Sequence, residues 1–102
     1  MALMKSASVA LAVLLVPAAA HAAKKELHLY TWADYVKPEL VQRFEKEQGC
    51  RVVIDTFDSN ESMYAKLKAG ASGYDVITPS SYMASLMRKQ GLIRGLDRKL
   101  LP

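Results

Sequence analysis

At residues 51–60 the chain reads Arg-Val-Val-Ile-Asp-Thr-Phe-Asp-Ser-Asn, and these ten residues indicate the fold class. Its first seven residues are mostly β-branched or aromatic, which predicts a strand. The three polar residues that follow supply a helix N-cap. A strand that leads directly into a helix start is the building unit of an α/β protein. The same order of strand and helix is predicted on both sides of this stretch.

The preceding unit begins with alternating residues at 27–32, which predict a short strand. Pro38 suits the first turn of a helix, and Gly49 ends that helix. Its apolar face carries Leu40, Val41 and Phe44.

The unit that follows contains a second helix ending near Gly70, a third strand at 74–78 and a third helix ending at Gly91. The apolar faces of these two helices carry Met63, Tyr64 and Leu67 in the first and Met83, Leu86 and Met87 in the second. Residues 92–101 suggest a short extended piece and a turn.

The resulting β-α-β-α-β-α order predicts an α/β fold with a parallel sheet, right-handed crossovers and burial of both sheet faces. Ligands of such sheets bind beyond the carboxyl ends of the strands. Three segments are therefore candidates for a site: 32–34, 58–60 and 79–82. Three parallel strands leave exposed edges, so we expect residues 23–102 to be an incomplete part of a larger domain.

Residues 1–22 are predicted to be a secretory signal peptide. Lys5 gives the positive start, residues 7–20 are almost wholly apolar, and Ala20-His21-Ala22 suits cleavage between Ala22 and Ala23. The alternative is a membrane anchor, because residues 6–23 carry no charge. Pro17 and the alanine-rich end favour cleavage, which would place the mature chain in the periplasm.

Composition excludes several classes of protein. Half of the residues (51%) are hydrophobic and 24% are charged, which is not typical of a disordered tail. A single cysteine excludes a disulfide framework and a four-cysteine zinc module, and we interpret Cys50 as a small buried residue, with a reactive thiol or an intermolecular bridge as alternatives. The net charge of +4 is mild, and acidic and basic residues are interspersed along the chain. No nucleic-acid partner is therefore predicted.

The candidate site residues are Trp32, Asp34, Ser80 and Tyr82. An indole beside a carboxylate suits an organic cation, although Trp32 could equally be core and Asp34 a turn residue. Ser80 stands at a helix start, where it could cap the helix or offer its hydroxyl to a ligand, and helix N-termini favour anions. Tyr82 could close a pocket or pack on its helix.

No pattern in the sequence predicts catalysis. His28 is the only histidine after residue 22, and there is neither a nucleophile motif nor a phosphate-binding loop. No metal site and no cofactor are predicted.

Four stretches resemble the periplasmic polyamine-binding proteins, the spermidine/putrescine receptors of ABC importers. They are residues 27–36 (LHLYTWADYV), 44–49 (FEKEQG), 55–67 (DTFDSNESMYAKL) and 73–82 (GYDVITPSSY). The resemblance implies a partial lobe of a type II periplasmic binding protein clamshell, a monomer that binds a linear polyamine and delivers it to a membrane permease. It places Trp32, Asp34, Ser80 and Tyr82 in the pocket, while Ala33 replaces the usual hydroxyl residue and Thr31 the usual Asn.

Three alternatives remain at this point. The chain could belong to a clamshell receptor for another small solute, such as an amino acid or an iron complex. It could be an inactive truncated fragment, or part of a periplasmic enzyme on a similar fold. The sequence itself does not choose between putrescine and spermidine.

Overall fold

The computed structural model describes residues 23–102, and the predicted signal peptide and most of its cleavage site therefore lie outside the described residues. The elements are β1 (Lys25–Trp32), α1 (Pro38–Gln48), β2 (Cys50–Phe57), α2 (Asn60–Lys68), β3 (Val76–Ile77) and α3 (Ser81–Lys89), followed by a short 3-10 helix (Arg98–Leu100). The β-α-β-α-β-α order predicted from the sequence is confirmed. Within 23–102, no helix is long and apolar enough to span a membrane.

The three strands form one parallel sheet with the order β2-β1-β3, so that β1 is central. The β1–β2 register runs from Lys25 opposite Cys50 to Trp32 opposite Phe57. Strand β3 joins the other side of β1, where Tyr30 lies opposite Ile77. Because the strands are parallel, their carboxyl ends meet at one edge of the sheet.

Strand β3 is shorter than the predicted 74–78 and comprises only Val76–Ile77. The carboxylate of Asp75 accepts the backbone N–H of His28 at 2.8 Å, where a regular ladder would use a backbone carbonyl. The Asp75 N–H still donates to the His28 carbonyl at 2.8 Å, so the segment stays attached to β1. Residues 92–101 were predicted to be a short extended piece and a turn, and they contain the 3-10 helix Arg98–Leu100.

The core lies between the sheet and helices α2 and α3. It comprises Tyr30, Phe57, Met63, Met83 and Met87. The rings of the two aromatic residues meet edge to face, with centroids 5.0 Å apart, a geometry that aromatic pairs prefer.

Among residues 23–102, α1 alone covers the opposite face of the sheet, and the expectation that both faces are buried was wrong. Helix α1 leaves an apolar groove of about 230 Å³ against the sheet. Phe44 on α1 and Ile54 on β2 are 42% and 41% exposed. One helix is too narrow to cover three strands. Cys50 at the start of β2 is half-buried.

Candidate ligand site at the carboxyl edge of the sheet

The segments that follow the three strands form a common surface, here called the carboxyl edge: residues 32–35, 58–62 and 78–82. All four site residues predicted from the sequence lie on it. The buried hydroxyl of Thr31 bonds that of Thr78 at 2.6 Å, which fixes the end of β1 to the end of β3.

Trp32 is half-buried at this edge. Its indole N–H donates to the carbonyl oxygen of Thr78 at 2.9 Å, and its ring packs on Phe57 with centroids 4.6 Å apart. The packing role considered from the sequence is therefore present, and the rest of the indole remains accessible at the edge.

Asp34 follows in an exposed turn that a hydrogen bond from the Tyr35 N–H to the Trp32 carbonyl closes at 3.3 Å. Its φ of 56° lies in the left-handed region, which aspartate tolerates better than most residues. The carboxylate of Asp34 makes no hydrogen bond or ion pair with residues 23–102, so it is both a turn residue and an available acceptor.

Ser80 occupies the N-cap position of α3, but its hydroxyl caps no backbone N–H. The predicted N-cap position is confirmed but the side-chain cap bond is absent, and the amide of Asn60 reaches Ser80 from α2 instead. The Ser80 N–H donates to Asn60 Oδ1 at 3.0 Å, and Asn60 Nδ2 donates to Ser80 Oγ at 2.9 Å.

Tyr82 is 58% exposed and does not pack into the core. Its hydroxyl accepts a hydrogen bond from Asn60 Nδ2 at 3.0 Å and donates to Glu61 Oε1 at 3.0 Å. Asn60 thus brings Ser80 and Tyr82 together. This role of Asn60 was not predicted from the sequence, although the residue lies in the candidate segment 58–60.

A cleft of about 380 Å³ opens at the same edge. Its lining combines two aromatic rings, an alanine, two aliphatic hydroxyls, an acid and a lysine: Tyr30, Ala33, Thr56, Phe57, Asp58, Ser62 and Lys66. Ala33 contributes only a methyl group, so a ligand finds no hydroxyl at that point. No group of three or more potential metal ligands occurs within residues 23–102.

Beside this cleft, Lys66 shows how the fold holds an ammonium group. Its Nζ donates to Asp55 Oδ2 at 2.9 Å and lies 5.0 Å from the centroid of the Tyr30 ring. The Tyr74 hydroxyl donates to the same carboxylate oxygen. The hydrogen bond from Tyr74, followed by that from Lys66, lowers the pKa of Asp55, and hydrogen bonds to Tyr74 and Asp55 raise the pKa of Lys66. Burial raises the pKa of Tyr30.

The lowered pKa of Asp55 predicts a pH-dependent contribution to stability. A carboxyl group with a lower pKa in the folded state stabilises the protein above its ordinary pKa of 3.8, and this contribution is lost as the pH falls through the folded-state value. We expect Asp55→Asn to lower the free energy of unfolding near neutral pH by no more than about 1 kcal/mol, because such exposed pairs are weak. Both side chains of the Asp55–Lys66 pair are 47% exposed.

Urea unfolding of both proteins at neutral and strongly acidic pH measures this effect. The difference between wild type and Asp55→Asn should vanish in acid. Glu47→Gln is the control, since its ion pair with Arg43 is longer (3.7 Å) and more exposed. A difference that persists below the pKa of Asp55 would show that the carboxylate charge is not the cause.

The chain is similar to proteins of a known family. Residues 2–99 match the model of a family described as hypothetical lipoprotein (MG045 family). The putrescine-binding periplasmic protein SpuD of Pseudomonas aeruginosa is 47% identical over 78 residues, covering 76% of this chain and 21% of that protein. The spermidine/putrescine-binding periplasmic protein of Salmonella typhimurium is 46% identical over 85 residues, covering 81% of this chain and 24% of that protein.

Two solved structures share the fold. A putative spermidine/putrescine ABC transporter protein from Listeria monocytogenes has a TM-score of 0.72 and 42% identity, covering 78% of this chain and 24% of that one. The substrate-binding protein PotD of Streptococcus pneumoniae has a TM-score of 0.70 and 43% identity, covering 74% and 24%. The chain spans less than a quarter of the length of the curated relatives named here, which are binding proteins rather than enzymes. It belongs to the hypothetical lipoprotein family (MG045 family) and has the α/β fold of part of a PotD-type periplasmic substrate-binding protein.

Proposed function

We propose that residues 23–102 are the N-terminal part of lobe 1 of an extracytoplasmic receptor that binds putrescine or spermidine and delivers it to an ABC permease. Identity of 46–47% to relatives named for these polyamines carries the proposal. The proposal includes a cleaved signal peptide at residues 1–22, a periplasmic location and a monomeric receptor. It requires no cofactor.

The chemistry of the carboxyl edge supports a cationic ligand. Asp34, Asp58 and Glu61 bring carboxylates to it, and the indole of Trp32 offers an aromatic face to an ammonium group. Each ammonium group of a polyamine must be paired once it leaves water. We assign Trp32, Asp34, Ser80 and Tyr82 to this part of the pocket, and the relatives' greater length leaves room for further ligand groups.

A joined protein tests the proposal. Residues 23–102 replace the matching segment of the Pseudomonas aeruginosa SpuD protein, and calorimetry measures binding of putrescine and spermidine. We expect the joined protein to bind a polyamine, while residues 23–102 alone bind weakly or not at all. Among the four residues assigned to the pocket only Asp34 carries a carboxylate, and it cannot by itself pair two or more ammonium groups.

The wild-type Pseudomonas protein is the reference for this experiment. A correctly folded joined protein that binds neither polyamine would contradict the proposal. Sub-micromolar binding by residues 23–102 alone would contradict the expected need for the remaining length.

A further inference from the structure

The amide of Asn60 links the first turns of α2 and α3 at the carboxyl edge. The residue is only 6% exposed. Its two amide hydrogens point to the hydroxyls of Ser80 and Tyr82, and its oxygen accepts the Ser80 N–H. Because one end of the amide must accept and the other must donate, these three bonds fix its orientation.

The oxygen end of this amide changes the electrostatics of the α3 N-terminus. The first four N–H groups of a helix lack intrahelical partners and favour anions. Here the Ser80 N–H is already bonded to Asn60 Oδ1 at 3.0 Å. The amide oxygen therefore occupies the place where a carboxylate ligand would meet this N–H, and it adds partial negative charge to the edge.

The nitrogen end limits what the Tyr82 hydroxyl can offer a ligand, whereas the Ser80 hydroxyl accepts from Asn60 and keeps its own hydrogen. The Tyr82 hydroxyl donates its hydrogen to Glu61 and accepts one hydrogen bond from Asn60, so only acceptor capacity remains. An acceptor suits the N–H donors of an alkylammonium group and repels a carboxylate oxygen. The carboxylate of Glu61 adds a negative charge, which also favours an ammonium group over a carboxylate ligand.

We propose that Asn60 is a positioning residue that prepares the carboxyl edge for a cationic amine and against a carboxylate ligand. It acts through Ser80 and Tyr82. The inference rests on the proposed function for the identity of the amine, but the hydrogen-bond arrangement itself can be tested without any ligand.

Hydrogen exchange of the full chain, followed by NMR, tests the arrangement. Asn60 is the only asparagine in the sequence, and the carbon shifts of its side chain distinguish its NH₂ resonances from those of the three glutamines. We expect slow exchange for this NH₂ group and for the Ser80 amide. Asn60→Ala should speed exchange at Ser80 by about tenfold, as expected for the loss of one hydrogen bond, whereas Asn60→Asp keeps the oxygen acceptor and should preserve the protection.

Ser85→Ala is the matched control, because it removes an exposed hydroxyl of α3 that bonds only the Ser81 carbonyl. It should leave exchange at Ser80 unchanged. Rapid exchange of the Asn60 NH₂ group in the wild type would overturn the inference without any variant, even if Asn60→Ala does not fold. Equal exchange at Ser80 in wild type and Asn60→Ala would do the same.

Titration of the joined protein with spermidine and, separately, with acetate tests the preference, because residues 23–102 alone are expected to bind polyamine weakly or not at all. With Asn60 in place, spermidine should shift the amide resonances of Ser80 and Tyr82 and acetate should not; in Asn60→Ala, acetate should shift them. If acetate shifts these resonances as much as spermidine does with Asn60 in place, or if spermidine binds by calorimetry but shifts neither resonance, the preference is refuted. Failure of the joined protein to bind polyamine would instead count against the proposed function, while the exchange result would still report on Asn60.

Discussion

Replacement of Met63 by alanine should lower the free energy of unfolding by about 2–5 kcal/mol. Met63 is 0% exposed and lies in the core between the sheet and α3. The lost apolar contacts and the remaining cavity both destabilise the folded state. Since small domains have roughly 5–15 kcal/mol of stability in total, the variant should unfold at a much lower urea concentration, as followed by far-UV circular dichroism.

Leu96→Ala is the control for this substitution, because Leu96 is 76% exposed. It removes a comparable number of apolar atoms from a surface position and should change the stability by less than about 0.5 kcal/mol. Equal urea midpoints for the two variants would show that the core is not packed around Met63 as described.

Trp32→Ala should lower the affinity of the joined protein for spermidine by about 30-fold or more, the effect of losing an aromatic anchor worth 2 kcal/mol. The substitution removes the aromatic ring that we propose for contact with an ammonium group, and it removes the hydrogen bond to the Thr78 carbonyl. Calorimetry of the folded variant measures this loss, and Trp32→Phe should be intermediate because it keeps a ring but not the indole N–H.

Tyr64→Ala controls for general destabilisation by loss of a large ring. Tyr64 packs beside the core and its hydroxyl bonds Gln90, away from the carboxyl edge. It should lower the stability without changing the affinity of the folded protein. If Tyr64→Ala weakens spermidine binding as much as Trp32→Ala, the indole has no special role in binding.

The helices and strands could be predicted because residues next to their ends determine where they begin and end. Pro38 begins α1, and Gly49, with φ of 61°, ends it in the left-handed conformation. Ser59 caps α2 by accepting the Ser62 N–H. Strand β3 was overestimated because the reach of the Asp75 side chain to β1 depends on a contact 47 residues away.

The site was predictable only in outline. Parallel topology alone brings Trp32 and Ser80 to one edge, since both follow strands of the same sheet. The hydrogen bonds of Asn60 to residues 20 and 22 positions away depend on how two helix starts meet in space. No local pattern encodes that meeting. The Ser80 hydroxyl therefore makes no cap bond, which was one of the two roles considered for it, and the linking role of Asn60 within the candidate segment 58–60 was not predicted.

The central position of β1 has a consequence for the order of folding. Register partners Lys25 and Cys50 are 25 positions apart, whereas His28 and Asp75 are separated by 47. Each doubling of loop length adds only about 0.6 kcal/mol to the entropic cost of closing the loop. However, β3 forms only a two-residue ladder with β1, which offsets little of that cost. We therefore expect pairing of β1 with β2 to precede docking of β3 and α3. During synthesis β1 emerges before both of its neighbours, and we expect the carboxyl edge, which needs the ends of all three strands, to form last among the described elements.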